Sequence, residues 1–445
     1  MKKESHTKYF TPGINPDVKL PDLGRQRIDS TRFSSHDYMH REWQLLWRKV
    51  WNVGPREEEF SRSGDYVVHN LGKESFLFVR GEGGTLRGFY NVCQHRGNQL
   101  VSDSHCGHTS FLQCPFHAWS YNLDGSIKGV PGARDFPQFS NGLPRDELAL
   151  EPIEVDRWGG FLFFKLDQGG PGLHAFLGEL VEHLAPYRIQ DMRLYEYKTF
   201  LWDSNWKVAC DAFNESYHFR GLHPQMLKWA DERARIELLG EHSRMINKYG
   251  TTSSPYGGNE IYPELREWLL YNGMDPSAAV GPAEDVWKSK VDFVRQIQGQ
   301  TGVTVPYADM TDDQLTDVYH YFIFPGFAMN VFPEGINGFR YRPHESDPEK
   351  MYYDLIMLVH YPEGQTLTCE HKFFDNKVRY DSVADNPLSY IVTDVLQQDA
   401  DNVSVNQRGL KSDGFRGMCL GNQEIRLRHF HNTLDCYLDQ GKDLS

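Results

Sequence analysis

Apolar positions in the first fifty residues follow a helical rhythm. Over 35–51, Tyr38, Trp43, Leu46, Trp47 and Val50 share one face behind an N-capping Ser34 or Ser35, and Gly54-Pro55 reads as the stop. Residues 1–34 are polar and punctuated by Pro and Gly, the pattern of a surface arm. From 64 to about 166 the rhythm changes to short apolar runs separated by turn signals such as Gly83-Gly84, Asp124-Gly125 and Pro131-Gly132, which predicts a small β-rich domain. Gly81-Glu82-Gly83 lies between two β-like runs and opens no helix, so it reads as a hairpin turn and not as a dinucleotide loop. The run Gln168-Gly169-Gly170-Pro171-Gly172 is the best domain boundary. Beyond it the pattern predicts a helix over 173–184, a strand over 195–201, a loop or lid over 250–282 and a helix over 283–298. Long strands follow over 319–332 and 336–361, with Tyr353, Leu355, Met357 and Val359 alternating onto one face, and 387–438 is mostly helical. Strands gathered before late helices give an α+β fold.

Charge narrows the function classes. The 47 Lys and Arg against 61 Asp and Glu leave a net charge of −14, and such a surface repels phosphate backbones, so no nucleic-acid partner is expected. No run approaches the ~18 apolar residues of a membrane helix, and the two lysines at the start have no apolar stretch behind them, so neither membrane insertion nor secretion is expected. Seven cysteines in 445 residues are too few for a disulfide framework, which leaves the cytoplasm as the expected compartment.

Two groups of residues carry chemistry. Cys93-Gln94-His95 and Cys114-Pro115-Phe116-His117 each offer one thiol and one imidazole. Two Cys and two His suit either a Rieske 2Fe–2S centre or a structural zinc. Cys106-Gly107-His108 repeats the first spacing, but only five residues separate it from Cys114 once Cys106–His108 is passed; with His105 it reads as a bystander on the connecting loop. The second group opens at Asn205-Trp206-Lys207 and runs to Glu215-Ser216-Tyr217-His218-Phe219-Arg220-Gly221-Leu222-His223-Pro224. On an unbroken helix an offset of five turns His218 and His223 ~140° apart; Gly221 and Pro224 supply the break that lets them converge. A facial triad needs one carboxylate more, and Gln397-Gln398-Asp399-Ala400-Asp401 offers two candidates.

The loops Asn91-Val92-Cys93-Gln94-His95-Arg96-Gly97 and Cys114-Pro115-Phe116-His117-Ala118-Trp119-Ser120-Tyr121 resemble the cluster loops of Rieske proteins, with Ala118 where relatives usually have Gly. With the second segment, the chain resembles the catalytic α subunit of a Rieske non-haem iron oxygenase, the ring-hydroxylating family, over roughly 35–235 and 319–440. The resemblance implies an N-terminal Rieske β-domain and a helix-grip catalytic domain, an antiparallel sheet curved over a long helix. The division is then 1–55 as arm and helix packing on the catalytic domain, 56–168 as Rieske domain and 169–445 as catalytic domain. It implies Cys93, His95, Cys114 and His117 as ligands of the 2Fe–2S cluster, and His218, His223 and Asp399 as ligands of a mononuclear Fe(II). Asp399 is preferred because it lies eight residues before Gln407, where relatives carry their ligand aspartate. Glu215 stands at the acidic position that bridges the two centres across a subunit boundary.

The implied function is a terminal oxygenase that uses O2 to hydroxylate a hydrophobic or aromatic small molecule. Phe213, Tyr319, Phe322, Phe324, Phe327, Met329 and Phe332 are candidate pocket residues. Electrons come from a separate reductase, with or without a ferredoxin, and NAD(P)H serves only through it. The implied assembly is a homotrimer, with or without a small β subunit. The alternatives are a quaternary-ammonium hydroxylase or demethylase of the same family, suggested by Glu215-Ser216-Tyr217-His218, and a non-enzymatic Rieske electron carrier.

Overall fold

The computed structural model describes residues 21–102, 106–253, 261–278, 281–297, 305, 307–362, 364, 367–383 and 390–439. His105, most of the N-terminal arm and parts of the 250–282 stretch lie outside these residues. The chain divides into two compact units, one of Glu42–Phe176 with His344–Ser346 and one of the remaining residues. Strands and helices alternate in the α+β manner expected.

In the smaller unit, strands β1 (Asn52–Arg56), β2 (Asp65–Leu71), β3 (Glu74–Arg80), β4 (Leu86–Tyr90), β5 (Cys106–His108), β6 (Leu112–Gln113), β7 (Ser120–Tyr121), β8 (Ile127–Gly129), β9 (Pro152–Trp158) and β10 (Phe161–Lys165) form two sheets. Seven strands run in the order β1-β10-β9-β4-β3-β2-β5, and β6-β7-β8 make a separate meander. The Gly81-Glu82-Gly83 segment turns the β3–β4 hairpin, as its flanking pattern predicts. The expected 35–51 helix is shorter: helix α1 (His36–Glu42) passes into a π-helical turn at Trp43–Trp47 and ends there. Gly54-Pro55 does not stop it but lies inside β1, where the pairing with β10 shifts register and so tolerates a residue without an N–H.

In the larger unit, strands β11 (Arg193–Trp202), β12 (Arg235–Leu239), β13 (His242–Asn247), β14 (Val318–Ile323), β15 (Phe327–Val331), β16 (Gly335–Pro343), β17 (Met351–Val359) and β18 (His371–Phe374) form one sheet in the order β12-β13-β14-β15-β16-β17-β11-β18. Every pair is antiparallel except β11 with β18. The two long strands expected here are two hairpins, because Pro325-Gly326 and the 344–350 segment turn the chain back. On β17 both faces are buried, so the alternation of Tyr353 and Leu355 with their neighbours does not mark a solvent face.

The helices after α1 are α2 (Leu173–Leu177), α3 (Leu180–Leu184), α4 (Trp206–Phe213), α5 (Phe219–Leu222), α6 (Pro263–Tyr271), α7 (Ala283–Ile297), α8 (Asp312–Thr316), α9 (Tyr390–Leu410) and α10 (Ile425–Asp439). Gly178, at φ +53°, splits the expected 173–184 helix into α2 and α3. The expected loop over 250–282 contains α6, with Pro263 in its first turn and Leu265, Trp268 and Leu269 buried beside Phe219 and Trp229. The end of the arm is tied down at Ile28, whose backbone exchanges two hydrogen bonds with Met418. Among the described residues no helix is long and apolar enough to cross a membrane.

Candidate metal centres

The two cysteine loops have the same backbone. In the first, Cys93 N donates to Asn98 O (2.8 Å) and Gly97 N to Cys93 O (3.0 Å); in the second, Cys114 N donates to Trp119 O (2.8 Å) and Ala118 N to Cys114 O (3.0 Å). Asn91 closes the base of the first loop, its Oδ1 accepting from Leu100 and Val101 N and its Nδ2 donating to Val101 O. These turns present Cys93, Cys114, His95 and His117 from two loops of one unit. Both thiols are 2% exposed and sit in a core with Leu112, Trp119 and Tyr121. The imidazoles of His95 and His117 meet edge to face at 4.7 Å, and His95 is stacked on Trp119, also at 4.7 Å.

His95 Nδ1 is buried and has no partner among the described residues, which leaves it as an unclaimed donor atom. Burial, then the charges of His117 and Arg96, pull the His95 pKa down and so favour the neutral ring that a metal requires. The bystander residues are accounted for otherwise: Cys106 and His108 lie in β5 against β2, with His108 Nδ1 2.8 Å from Asp65 Oδ1.

Each turn needs its fourth residue after Cys in the left-handed region. Gly97 adopts φ +75° without cost, but Ala118 adopts φ +57°, and a Cβ there costs about 1 kcal/mol. Ala118→Gly is therefore expected to raise stability by roughly 0.5–1 kcal/mol; denaturant unfolding followed through the cluster absorbance checks this, and a destabilised variant would contradict it.

Tyr121 is only a flanking residue in the sequence, yet its hydroxyl accepts from Gln94 N (3.0 Å) and lies 3.2 Å from Cys93 Sγ. With the oxygen receiving the amide proton, the phenolic O–H points at sulfur. A donor on a ligand sulfur favours the more negative, reduced cluster. Tyr121→Phe is expected to lower the reduction potential by about 40 mV, the equivalent of one hydrogen bond of ~1 kcal/mol in a one-electron couple. Redox titration of the visible bands measures it, and an unchanged or raised potential would remove Tyr121 from that role.

The second site is built by α4, α5 and α9. Asn205 caps α4, accepting from Lys207 N at 3.0 Å, while its own N–H donates to Gln407 Oε1 at 3.0 Å. Gln407, 2% exposed, thereby ties α9 to the start of α4. After α4 the chain leaves the helix at Asn214, and His218 and His223 stand at the N-cap and C-cap of the one-turn α5. Gly221 lies within that turn, so the break that turns the histidines together comes at His223 itself, which leaves helical geometry at φ −124°, ψ 53° before Pro224. Glu215 also stands outside any helix, so its approach to His218 comes from the turn and not from helical spacing.

The result is a compact donor set. One ligand atom each from His218, His223 and Asp399 lies within 4.8 Å of the others. His223 Nε2 is 3.0 Å, and His218 Nε2 3.9 Å, from Asp399 Oδ1. Both rings spend Nδ1 elsewhere: His218 Nδ1 donates to Glu215 Oε1 (2.6 Å), and His223 Nδ1 donates to Gln398 Oε1 (2.7 Å). Gln225 Nε2 also donates to Gln398 Oε1, at 2.9 Å, and holds it in place. In the neutral rings each Nε2 is then a bare lone pair facing a carboxylate oxygen, an arrangement that repels unless a proton or a metal ion lies between them. These three side chains fit a divalent metal. Burial opposes a charged His218, but the charge and hydrogen bond of Glu215 and the charge of Asp399 outweigh it and raise the pKa. Gln398 and Gln225 were not singled out in the sequence; their role depends on packing between α5 and α9, which no local motif announces.

Of the candidate pocket residues, Phe213 closes α4, the helix that leads into the histidine segment. It packs on Phe339, Tyr353 and Tyr341 with ring centroids 5.0, 5.7 and 6.1 Å away. Phe322 and Phe324 pack instead on Phe430 of α10, and the Tyr319 hydroxyl is 3.3 Å from Asp313.

A family model of the Rieske [2Fe-2S] domain matches residues 50–140, and one of the ring hydroxylating alpha subunit (catalytic domain) matches residues 189–440. The chain belongs to the ring-hydroxylating oxygenase α subunits. As such it has the Rieske and catalytic domains of the Rieske non-haem iron oxygenases, which imply a 2Fe–2S cluster, a mononuclear iron and O2. The glycine betaine monooxygenase oxygenase subunit of Pseudomonas aeruginosa is 32% identical over 225 residues, 48% of this chain and 50% of that relative, so the match spans half of the relative's length. Among solved structures, the quaternary ammonium Rieske monooxygenase CntA with its substrate L-carnitine is similar at TM-score 0.67 and 19% identity, covering 94% of this chain and 99% of that one. Naphthalene 1,2-dioxygenase from a Rhodococcus species bound to indole is similar at TM-score 0.64 and 20% identity, covering 93% and 95%. At these identities the two structures establish the fold of this oxygenase α subunit and nothing about its substrate.

Proposed function

We propose that this Rieske oxygenase hydroxylates a carbon bonded to the nitrogen of a small quaternary ammonium compound. The observation that carries the reading is the aromatic cluster of Phe213, Phe339, Tyr341 and Tyr353, gathered on the end of the helix that leads into Glu215 and His218. Ring faces attract a cation that cannot be hydrogen-bonded, and they exclude water from it. The similarity to the glycine betaine enzyme supports the same substrate class. Hydroxylation of an aromatic ring is the second reading, favoured by the same ring faces, on which an aromatic substrate stacks.

His218, His223 and Asp399 would hold the iron, and Cys93, His95, Cys114 and His117 the cluster; when bound, iron supplies reductive activation of O2 and the cluster delivers electrons singly. Glu215 and Gln398 keep both imidazoles in the Nδ1–H form with Nε2 directed inward. Buried Phe213 and its neighbours shield the reacting carbon from solvent. Family membership supports electrons from a separate reductase, with or without a ferredoxin, and a homotrimer in which Glu215 reaches the partner subunit's His117.

The test is turnover with a surrogate reductase on glycine betaine, carnitine, salicylate and benzoate. The expected result is O2 uptake coupled to release of an aldehyde and a tertiary amine from a quaternary substrate. Coupled turnover of the aromatic acids alone would replace this reading by the second.

A further inference from the structure

Tyr341 on β16 and Tyr353 on β17 are directly paired in the sheet register, with ring centroids 6.0 Å apart. Each is 1% exposed, and neither hydroxyl has a hydrogen-bond partner among the described residues. Buried phenols nearly always spend their O–H on an acceptor, so two such groups side by side require an explanation. Both rings pack on Phe213, the last residue of α4 and two residues before Glu215, whose carboxylate holds His218.

A buried cation is held at Asn214, the residue after Phe213. Arg426, 1% exposed, donates from Nε to Ser243 Oγ (3.0 Å), from NH1 to Asn214 O (3.3 Å), and from NH1 and NH2 to His320 Nδ1 (3.2 Å). Every one of these acceptors is neutral. Among the described residues Arg426 has no hydrogen bond to a carboxylate, and Glu215, whose charge reaches it, is already engaged by His218. The field of Arg426 also reaches the Tyr341 hydroxyl. Two O–H donors without an acceptor and a guanidinium without a hydrogen-bonded counter-ion lack the same thing: an anionic oxygen. A hydrocarbon or a simple tetraalkylammonium ion in this place would leave all three uncompensated.

We propose that the substrate carries a carboxylate, which accepts hydrogen bonds from Tyr341 and Tyr353 in the field of Arg426. This deepens the quaternary-ammonium reading, on which it rests for the cationic end, by making the substrate a zwitterionic betaine: ring faces take the ammonium and phenol tips the acid. The carboxylate half does not depend on the ammonium half, since an aromatic acid presents the same group.

Calorimetric titration of the anaerobic, oxidised holoenzyme separates the two. The ligands are two pairs, glycine betaine with tetramethylammonium and salicylate with phenol, and the proteins are wild type, Y341F, Y353F and the double variant. Phenylalanine keeps the ring, and iron content together with the visible spectrum verifies that each variant is folded and loaded. Wild type is expected to bind at least one acid more tightly than its acid-free counterpart. Each single variant is expected to weaken that acid about ten- to hundred-fold, the cost of a hydrogen bond to a charged group, while changing the counterpart less than about threefold. Loss confined to salicylate upholds the carboxylate anchor and overturns the quaternary-ammonium reading. Equal losses for acid and counterpart, no loss for either, or wild type without preference for an acid would overturn the anchor.

Discussion

Glu215→Gln is expected to retain the cluster and most of the iron yet to lose coupled turnover by about 100-fold or more. Glu215 is 8% exposed, and both of its oxygens are committed. Oε1 accepts from His218 Nδ1 at 2.6 Å, while Oε2 accepts from the backbone N–H of Tyr217 and, at 3.1 Å, from that of His218. A glutamine can serve one side only. If its oxygen faces the imidazole, its NH2 meets two N–H donors; if it turns round, the NH2 meets Nδ1–H. Either orientation removes the charge that fixes the ring. The same carboxylate is the proposed link to the partner subunit's His117. Rapid mixing of the reduced enzyme with substrate and O2 reads that link directly through reoxidation of the cluster. Wild-type reoxidation rates in the variant would show that Glu215 does not join the centres.

Replacing one ligand in each centre is expected to separate them completely. The wild-type protein should be brown with about three irons per chain, two in the cluster and one mononuclear. His218→Ala should carry about two, keep the visible spectrum and lose all oxygenation, since only His223 and Asp399 of the three donors remain. Cys114→Ser should lose the colour. Metal analysis alongside absorbance decides the matter: bleaching in His218→Ala would mean that the division of ligands is wrong, and stoichiometric zinc in a colourless wild type would sink the cluster assignment.

What could be read from the chain was local. Cys93 with His95, Cys114 with His117 and His218 with His223 are each pairs on one short turn, so residue type and spacing nearly specify their geometry. Errors arose where a short-range signal was read over too long a span. Gly54-Pro55 reads as a helix stop, but the helix ends earlier in a π-turn and the proline is absorbed by a register shift in β1. The 319–332 and 336–361 runs read as single strands because their apolar residues continue through the turns. Glu215 and His218 stand three residues apart, and the turn after Asn214, not a helix face, brings them together.

The sequence alone pointed to the thiol and imidazole pairs of the two candidate centres and to the α+β order, because thiols, imidazoles and turn residues act through their nearest neighbours. Tertiary structure decided everything that closes those sets. Asp399 meets His223 at 3.0 Å across 176 residues of chain, and it does so because Gln407 anchors α9 to the cap of α4. Gln398 reaches His223 across the same packing. Tyr341 and Tyr353 look in sequence like ordinary strand residues; only the β16–β17 register pairs their rings, and only the packing of α4 sets Phe213 against both. Contacts between distant segments depend on how strands pair and helices pack, and a strand buried on both faces uses an aromatic residue for core and for site alike, so its sequence cannot separate the two.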